Sequence, residues 1–370
     1  MDKRVTIVGA GVIGLTLAKE LANSGLEVEV CDSKRTASEG QAKASGILSI
    51  SGLKSAGLPY KDSIINTLNG AVLHAGRETL KIRSNSAMAY VVDRSRLAES
   101  CMDIAKDAGA TVTLGKRLSK DDMLQIAEDR DSILVGADGA VSTVASAFGF
   151  PGIGEYVLTY KAEYENANME DKSTVNLFFS NKVANGFFGW TVPHSGKRIE
   201  MGLGISGKSR INSYTAFKKF LDDDSLGRLL KDSRKVNGYA SVIPLGCRKV
   251  TAKGNVLLVG DAAGQVKSTT GGGIIFGSLC AKVLAKAIIG NVKRGSPLSV
   301  YEREWRKKYG AELKLHSILH AYYSSLDTKS FEILFKLSKM FGTGEFLGKY
   351  GDMDRPSLML KRFFLRGLAK

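Results

Sequence analysis

Three glycines, Gly9, Gly11 and Gly14, stand in the order G-x-G-x-x-G directly after the apolar run from Val5 to Val8. Leu15, Ala18, Leu21 and Ala22 follow at helical spacing, Gly25 ends that helix, and Val28 to Cys31 form a second strand. This arrangement suits a pyrophosphate. Gly9 permits the tight turn, Gly11 lets backbone approach the ligand, and Gly14 lets helix and strand pack closely. The helix start adds unpaired N–H groups and a positive partial charge. Asp32 closes the second strand about twenty residues on, where a carboxylate takes a ribose hydroxyl. The spacing predicts a dinucleotide-binding unit.

A second chemistry-bearing stretch is "GNVLLVGDAAGQVKSTTGGGIIFG", from Gly254 to Gly277. A short apolar strand ends at Gly260-Asp261, and Gly271, Gly272 and Gly273 open an apolar run of helical length beginning at Ile274. Together with "GADGAVSTV", Gly136 to Val144, it resembles the paired motifs of flavoproteins with the para-hydroxybenzoate hydroxylase fold. The resemblance implies FAD as cofactor, with Ile13 inside the first motif. It also implies Asp261 on the ribityl chain and the helix start at Gly273 and Ile274 beside the flavin pyrimidine edge. A helix field there stabilises the anion of reduced flavin.

Several elements must position these residues. From Ala71 to Val92 the pattern becomes short β-like runs, "AVLHA", "TLKIR" and "MAYVV", followed by a helix from about Ser95 to Ala108. Alternating runs dominate from Val157 to Ser206, and after Tyr301 the chain is mostly helical and basic. The expected fold class is α/β: a Rossmann-like FAD-binding domain interleaved with an antiparallel β-sheet substrate domain, followed by a helical C-terminal segment. The expected boundaries are 1-70, 93-155 and 245-300 for the FAD domain, 71-92 and 156-244 for the sheet, and 301-370 for the C-terminal helices.

A narrower resemblance runs nearly the whole length. "KSTTGGGIIFG", "VVDRSRL", "NGFFGWTVP" and "YGDMDRPSLML" are similar to the geranylgeranyl reductase family, FAD enzymes that saturate isoprenoid chains of archaeal-type ether lipids. It implies a flavin-dependent oxidoreductase acting on C=C bonds of such lipids or of prenyl diphosphates. It also implies that Phe188, Trp190 and Pro193 line the lipid site, although Asn185 and Val192 depart from the family's aromatic motif. Arg94 matches an FAD-contacting arginine, and Leu118, expected in the strand after the Ser95 helix, offers backbone to the adenine. Where many relatives carry K-x-x-C-G, this chain has Lys43-Ala44-Ser45-Gly46, so Ser45 and Gly46 keep only their backbone contacts to flavin. Ser45 forms neither thiolate nor disulfide. These departures suit a divergent paralogue, and no catalytic acid is readable.

Composition bounds the rest. Four cysteines lie far apart with no C-x-x-C pair, which argues against a zinc site or disulfide framework and for a reducing cytoplasm. His74, His194, His316 and His320 show no metal spacing; His316 and His320, at i and i+4, read as structural or surface. The N-terminal apolar run is too short for a signal peptide. Lys282 and Lys286 interrupt the most apolar long window, Gly271 to Gly290, as a membrane span. The net charge of +16 points to an anionic partner or a solvated basic face. The basic, apolar C-terminus from Asp354 suggests peripheral contact with an anionic membrane, with Phe363 and Phe364 contributing. The expected partners are an isoprenoid lipid and an electron donor, NADPH or ferredoxin in type. No nucleic acid is expected, because no basic cluster interleaves with aromatics. A flavin monooxygenase, a non-catalytic lipid-binding flavoprotein and an RNA-binding flavoprotein stay open as alternatives.

Overall fold

The computed structural model describes residues 3–222 and 224–368. Its first sheet has six strands in the spatial order Ala252–Lys253, Val256–Leu258, Ser132–Gly136, Arg4–Val8, Val28–Asp32, Thr111–Leu114. All neighbours run parallel except the short edge strand Ala252–Lys253. Parallel strands buried on both faces read as nearly continuous apolar runs, as "ILV" within Ser132–Gly136 does. Ile133, Val135 and Leu257 face one core, with the helices Val12–Ala22, Arg94–Asp107 and Ile274–Arg294. Leu134 and Leu258 face another, with Met123 and Val144.

Ile274–Arg294 is long and apolar enough to cross a membrane by length and composition, despite Lys282 and Lys286. It is instead the central helix of the main core, with Cys280, Leu284 and Ile288 fully buried.

The second sheet has seven strands, ordered Arg234–Leu245, Glu155–Glu165, Ile199–Ser206, Gly189–Pro193, Thr174–Phe178, Gly70–Ala75, Glu78–Arg83. It is antiparallel apart from one pair, Thr174–Phe178 with Gly70–Ala75, which runs parallel. Alternation divides its faces. Ala162, Tyr164, Met201 and Leu203 pack under Phe217 and Phe220 of the helix Ser213–Leu221. Lys161, Glu163 and Glu200 point the other way.

Ala89–Val92, expected in this sheet, pairs instead with Ile47–Ser49 and Ile64–Leu68 in a third, three-stranded sheet. Gly46 explains the approach: a Cβ there would collide with the Val92 carbonyl, and Val92 N–H donates to Gly46 O at 2.9 Å. The C-terminal helices include Ala311–Ser324, Thr328–Met340, Thr343–Tyr350 and Pro356–Leu368. The side chains of Phe363 and Phe364 lie outside the described residues.

Candidate active site

The glycine turn has the geometry its spacing requires. Gly9 sits at φ +113°, and a Cβ there would strike the Ala137 carbonyl; a Cβ on Gly14 would strike the carbonyl of Gly9. Around Gly11 there is open space, with nothing within 4 Å of an added Cβ. Gly11 also caps Val12–Ala22 without a side-chain hydrogen bond, leaving helix N–H groups free for an anion. Asp32 Oδ2 accepts from Ala10 N–H at 2.8 Å and Oδ1 from Lys34 N–H at 2.9 Å. The carboxylate therefore braces the loop, and its remaining lone pairs are available to a ribose. Leu118 departs from expectation. It lies beyond Thr111–Leu114 in the irregular stretch before the cap Ser119, with its side chain packed beside Met123 rather than held in a strand.

The second motif is fixed from behind. Gln265 Oε1 accepts from Gly260 N–H at 2.8 Å, and its amide donates to the Tyr301 hydroxyl at 2.9 Å. Tyr301 in turn donates to Leu258 O at 2.9 Å. Ile13 fills the gap at Gly260 and Gly277, where an added Cβ would overlap it. Gly273 has no room for a Cβ beside the Asp261 carboxylate, and it caps Ile274–Arg294 without a side-chain partner. Ile274 itself is buried. In "GADGAVSTV", Asp138 accepts from Thr143 N–H at 2.6 Å and Val144 N–H at 3.1 Å, capping the short helix Thr143–Ala147.

Between the motifs lie polar groups that the protein leaves partly or wholly without partners. Asp261 accepts no hydrogen bond on its carboxylate among the described residues; burial pushes its carboxyl up, opposed by the Arg94 guanidinium. Asp93 caps Arg94–Asp107, and Arg94 turns inward. Arg94 reaches Gln41 Oε1 only at 3.5 Å, and its Nε is buried with no partner. Burial pushes the guanidinium down, while Asp261 and Glu200 favour its charge. Ser45 Oγ is a further buried, unpartnered group. Orphaned buried polar atoms are costly. This set, together with the space at Gly11 and the bare helix start at Gly273, fits FAD: phosphates at the first motif, and hydroxyls and ring edge at the second. Burial pushes the thiols of Cys31 and Cys247 up to about 11, that of Cys101 up to about 12 and that of Cys280 well above its ordinary value.

The sheet contributes a group of charges that pattern reading missed. Lys161 Nζ lies 2.6 Å from Glu200 and donates to Ala44 O, beside Ser45, at 3.3 Å. Trp190 Nε1 donates to Glu200 Oε1 at 2.8 Å. Lys161 and Glu200 are 4% and 1% exposed, so the pair is fully withdrawn from water. Burial pushes the Glu200 carboxyl up, but Lys161, His194 and the Trp190 hydrogen bond outweigh it and hold it below the ordinary range. His194 Nε2 lies 3.9 Å from Glu200, and burial lowers its affinity for a proton. Phe188 and Trp190 are buried in one apolar cluster with Val91, Val157 and Phe187. Pro193 is buried at the strand end, where its carbonyl accepts from Asn66 Nδ2 at 2.8 Å.

The C-terminal segment is locked onto the flavin loop. Lys267 pairs with Asp354 at 2.5 Å, and Ser49 donates to the same carboxylate. His316, read as structural or surface, is 2% exposed and bonds Thr269 Oγ1 through Nδ1 at 2.6 Å. His320 is also buried, with Nε2 3.0 Å from Gly186 O.

The family model described as "FAD binding domain" matches residues 2–306. An uncharacterized protein of Methanocaldococcus jannaschii is 27% identical, across 97% of this chain and 94% of that protein. The digeranylgeranylglycerophospholipid reductase of the same organism is 28% identical, across 84% of each chain. Among solved structures, a geranylgeranyl bacteriochlorophyll reductase-like protein from Thermoplasma acidophilum superposes with a TM-score of 0.81. It is 16% identical, with 97% of this chain and 95% of that chain covered. With that match spanning both glycine motifs and the sheet between them, the chain belongs to the FAD-binding-domain family and takes FAD as its cofactor.

Proposed function

We propose that this protein is an FAD-dependent reductase that saturates C=C bonds in geranylgeranyl or related isoprenoid chains of archaeal-type lipids or prenyl diphosphates. The observation that carries this reading is Lys161 of the sheet, whose Nζ donates both to Ala44 O, beside Ser45, and to Glu200, which Trp190 also holds. Cofactor loop and sheet thus share one interior, walled on the sheet side by Trp190 and Phe188. The reductase named above, similar across most of the chain, supports the substrate class.

Bound and reduced, FAD supplies hydride for one alkene carbon. The chain's residues do the rest. Gly9, Gly11 and Gly14 hold the pyrophosphate, Asp32 the ribose, and Asp261 with Arg94 the ribityl region. Gly273 and Ile274 start the helix beside the ring edge, Ser45 and Gly46 offer backbone, and Leu118 backs the adenosine end. Phe188, Trp190 and Pro193 form the apolar wall that keeps water from a charge-developing step. Lys161, whose Nζ donates to Ala44 O and is positioned by Glu200, is the side chain that would pass a proton to the second carbon. An isolated alkene needs such an acid, because hydride alone leaves a carbanion.

The electron donor is a separate partner of nicotinamide or ferredoxin type. The protein works in the cytoplasm at the edge of an anionic membrane. Mass spectrometry of the organic extract of purified yellow protein tests the substrate class. A polyprenyl lipid is expected; a small aromatic molecule would contradict the reading and favour a monooxygenase.

A further inference from the structure

The helix Thr328–Met340 has two unlike faces. Its inner face carries Phe331 and Phe335, 6% and 3% exposed, against Ala75 and Leu80 of the sheet edge. Its outer face carries Ile333, Leu337 and Met340, with Phe341 just beyond the helix end; they are 60%, 46%, 77% and 70% exposed. The spacing i, i+4, i+7, i+8 places all four along one stripe. Side chains of this size usually find cover, and a contiguous exposed row marks an interaction surface.

We infer that this stripe is where the protein docks on an anionic lipid bilayer. Two observations select that occupant. Exposed lysines flank the row: Lys329 lies four residues before Ile333 and Lys336 three after it. The nearby acid Glu78 is already answered by two cations, Lys336 at 3.7 Å and Lys339 at 2.7 Å. Asp327, the helix cap, and Glu332, which accepts from Arg77 N–H, bring the acids to three, against the four cations Arg77, Lys329, Lys336 and Lys339; that small excess favours an anionic surface, to which basic side chains flanking buried apolar groups bind.

The second observation is continuity with the lipid wall. Phe331 packs on Phe179 with ring centroids 4.8 Å apart, Phe179 on Phe188 at 5.7 Å, and Phe188 edge-on to Trp190 at 6.2 Å. An unbroken file of aromatic rings thus joins the docking helix to the proposed substrate wall. Among the described side chains of Pro356–Leu368, Leu358 and Leu360 are 41% exposed each, and at i, i+2 they do not share one face.

This inference rests on the lipid-reductase reading for its purpose, and the test separates the two. The FAD-loaded full chain is sedimented with phosphatidylglycerol vesicles and with phosphatidylcholine vesicles, at low and high salt. The wild type should bind the anionic vesicles, and added salt should weaken binding. The fourfold variant Ile333→Ser, Leu337→Ser, Met340→Ser, Phe341→Ser should lose about tenfold or more of that affinity. Lys329→Glu with Lys336→Glu should remove the preference for phosphatidylglycerol. Both variants should keep their flavin spectrum, since none of these residues touches the cofactor loops. Leu358→Ser with Leu360→Ser should bind as the wild type does. Undiminished binding by the fourfold variant, or no vesicle binding by the wild type, would overturn the inference. So would a wild-type dimer that the fourfold variant converts to monomer, because the stripe would then cover a second copy. Reduction of a detergent-dispersed digeranylgeranyl lipid needs no bilayer; its success beside failed vesicle binding would spare the reductase reading and sink only the docking surface.

Discussion

Acid should loosen the lock between the C-terminal segment and the flavin loop, and His316 sets much of the size of the effect. Its Nδ1 accepts from the Thr269 hydroxyl at 2.6 Å, and its Nε2 faces Asp354 O at 3.4 Å. A neutral ring satisfies both contacts. Burial is the main cause, with nearby Lys267 adding to it, that lowers the imidazole from 6.5 to about 4, against the opposing pull of Asp354 and Asp352. Above the ordinary value, folded and unfolded chains both hold a neutral ring, so nothing is lost. As pH falls from 6.5 towards about 4, the unfolded chain takes up a proton that the folded chain refuses, and stability drops. The full difference corresponds to about 3 kcal/mol, of which about 2 kcal/mol is gone by about pH 5. His194 and His320 are lowered by burial too, so they act with the same sign. The informative quantity is therefore a difference. Urea denaturation of wild type and His316→Gln, at about pH 7.5 and about pH 5, should show the variant losing about 2 kcal/mol less than the wild type between the two pH values. Equal losses would mean that His316 titrates normally and that the buried lock is not as described.

Three further outcomes follow from the geometry. Gly11→Val fills the open space at the Val12–Ala22 helix start, so the purified variant should lose most of its flavin absorbance while circular dichroism stays native; retained FAD would remove the pyrophosphate from this turn. Lys267→Met strands Asp354 in the interior, where removing one partner of a buried pair costs about 3–5 kcal/mol, and denaturation should register that loss. Trp190→Ala should cost about 3–5 kcal/mol through its cavity. Trp190→Phe should cost only about 1–3 kcal/mol through the bond lost to Glu200. Equal losses for the two would refute the packing assigned to the ring.

What could be read in advance was what repeats locally. A glycine turn, an apolar strand and an acid at its end are neighbours in sequence, so Gly9, Gly11, Gly14, Asp32 and Asp261 announced themselves. Lys161 and Glu200 did not. Each sits in an ordinary alternating strand, and only the register that sets Lys161 opposite Gly202 and Glu163 opposite Glu200 brings them together. Lys267 and Asp354 are joined the same way, by tertiary packing across most of the C-terminal third. His316 and His320 looked neutral because i, i+4 spacing tells which residues share a face, not whether that face is covered. The helical, basic character of the C-terminus was legible; which of its helices leaves apolar side chains uncovered was not. The Leu118 placement failed because strand ends depend on pairing partners, and Thr111–Leu114 has a neighbour only in Val28–Asp32.

The most direct test of the proposed reaction is a single anaerobic turnover. The FAD-loaded protein is reduced with dithionite, freed of excess reductant, and mixed with a digeranylgeranyl glycerophospholipid while the flavin absorbance is followed. Lipid-dependent return of the oxidised flavin spectrum is expected, with mass spectrometry showing addition of hydrogen across a double bond. A flavin that stays reduced until oxygen is admitted, leaving the lipid unchanged, would contradict it.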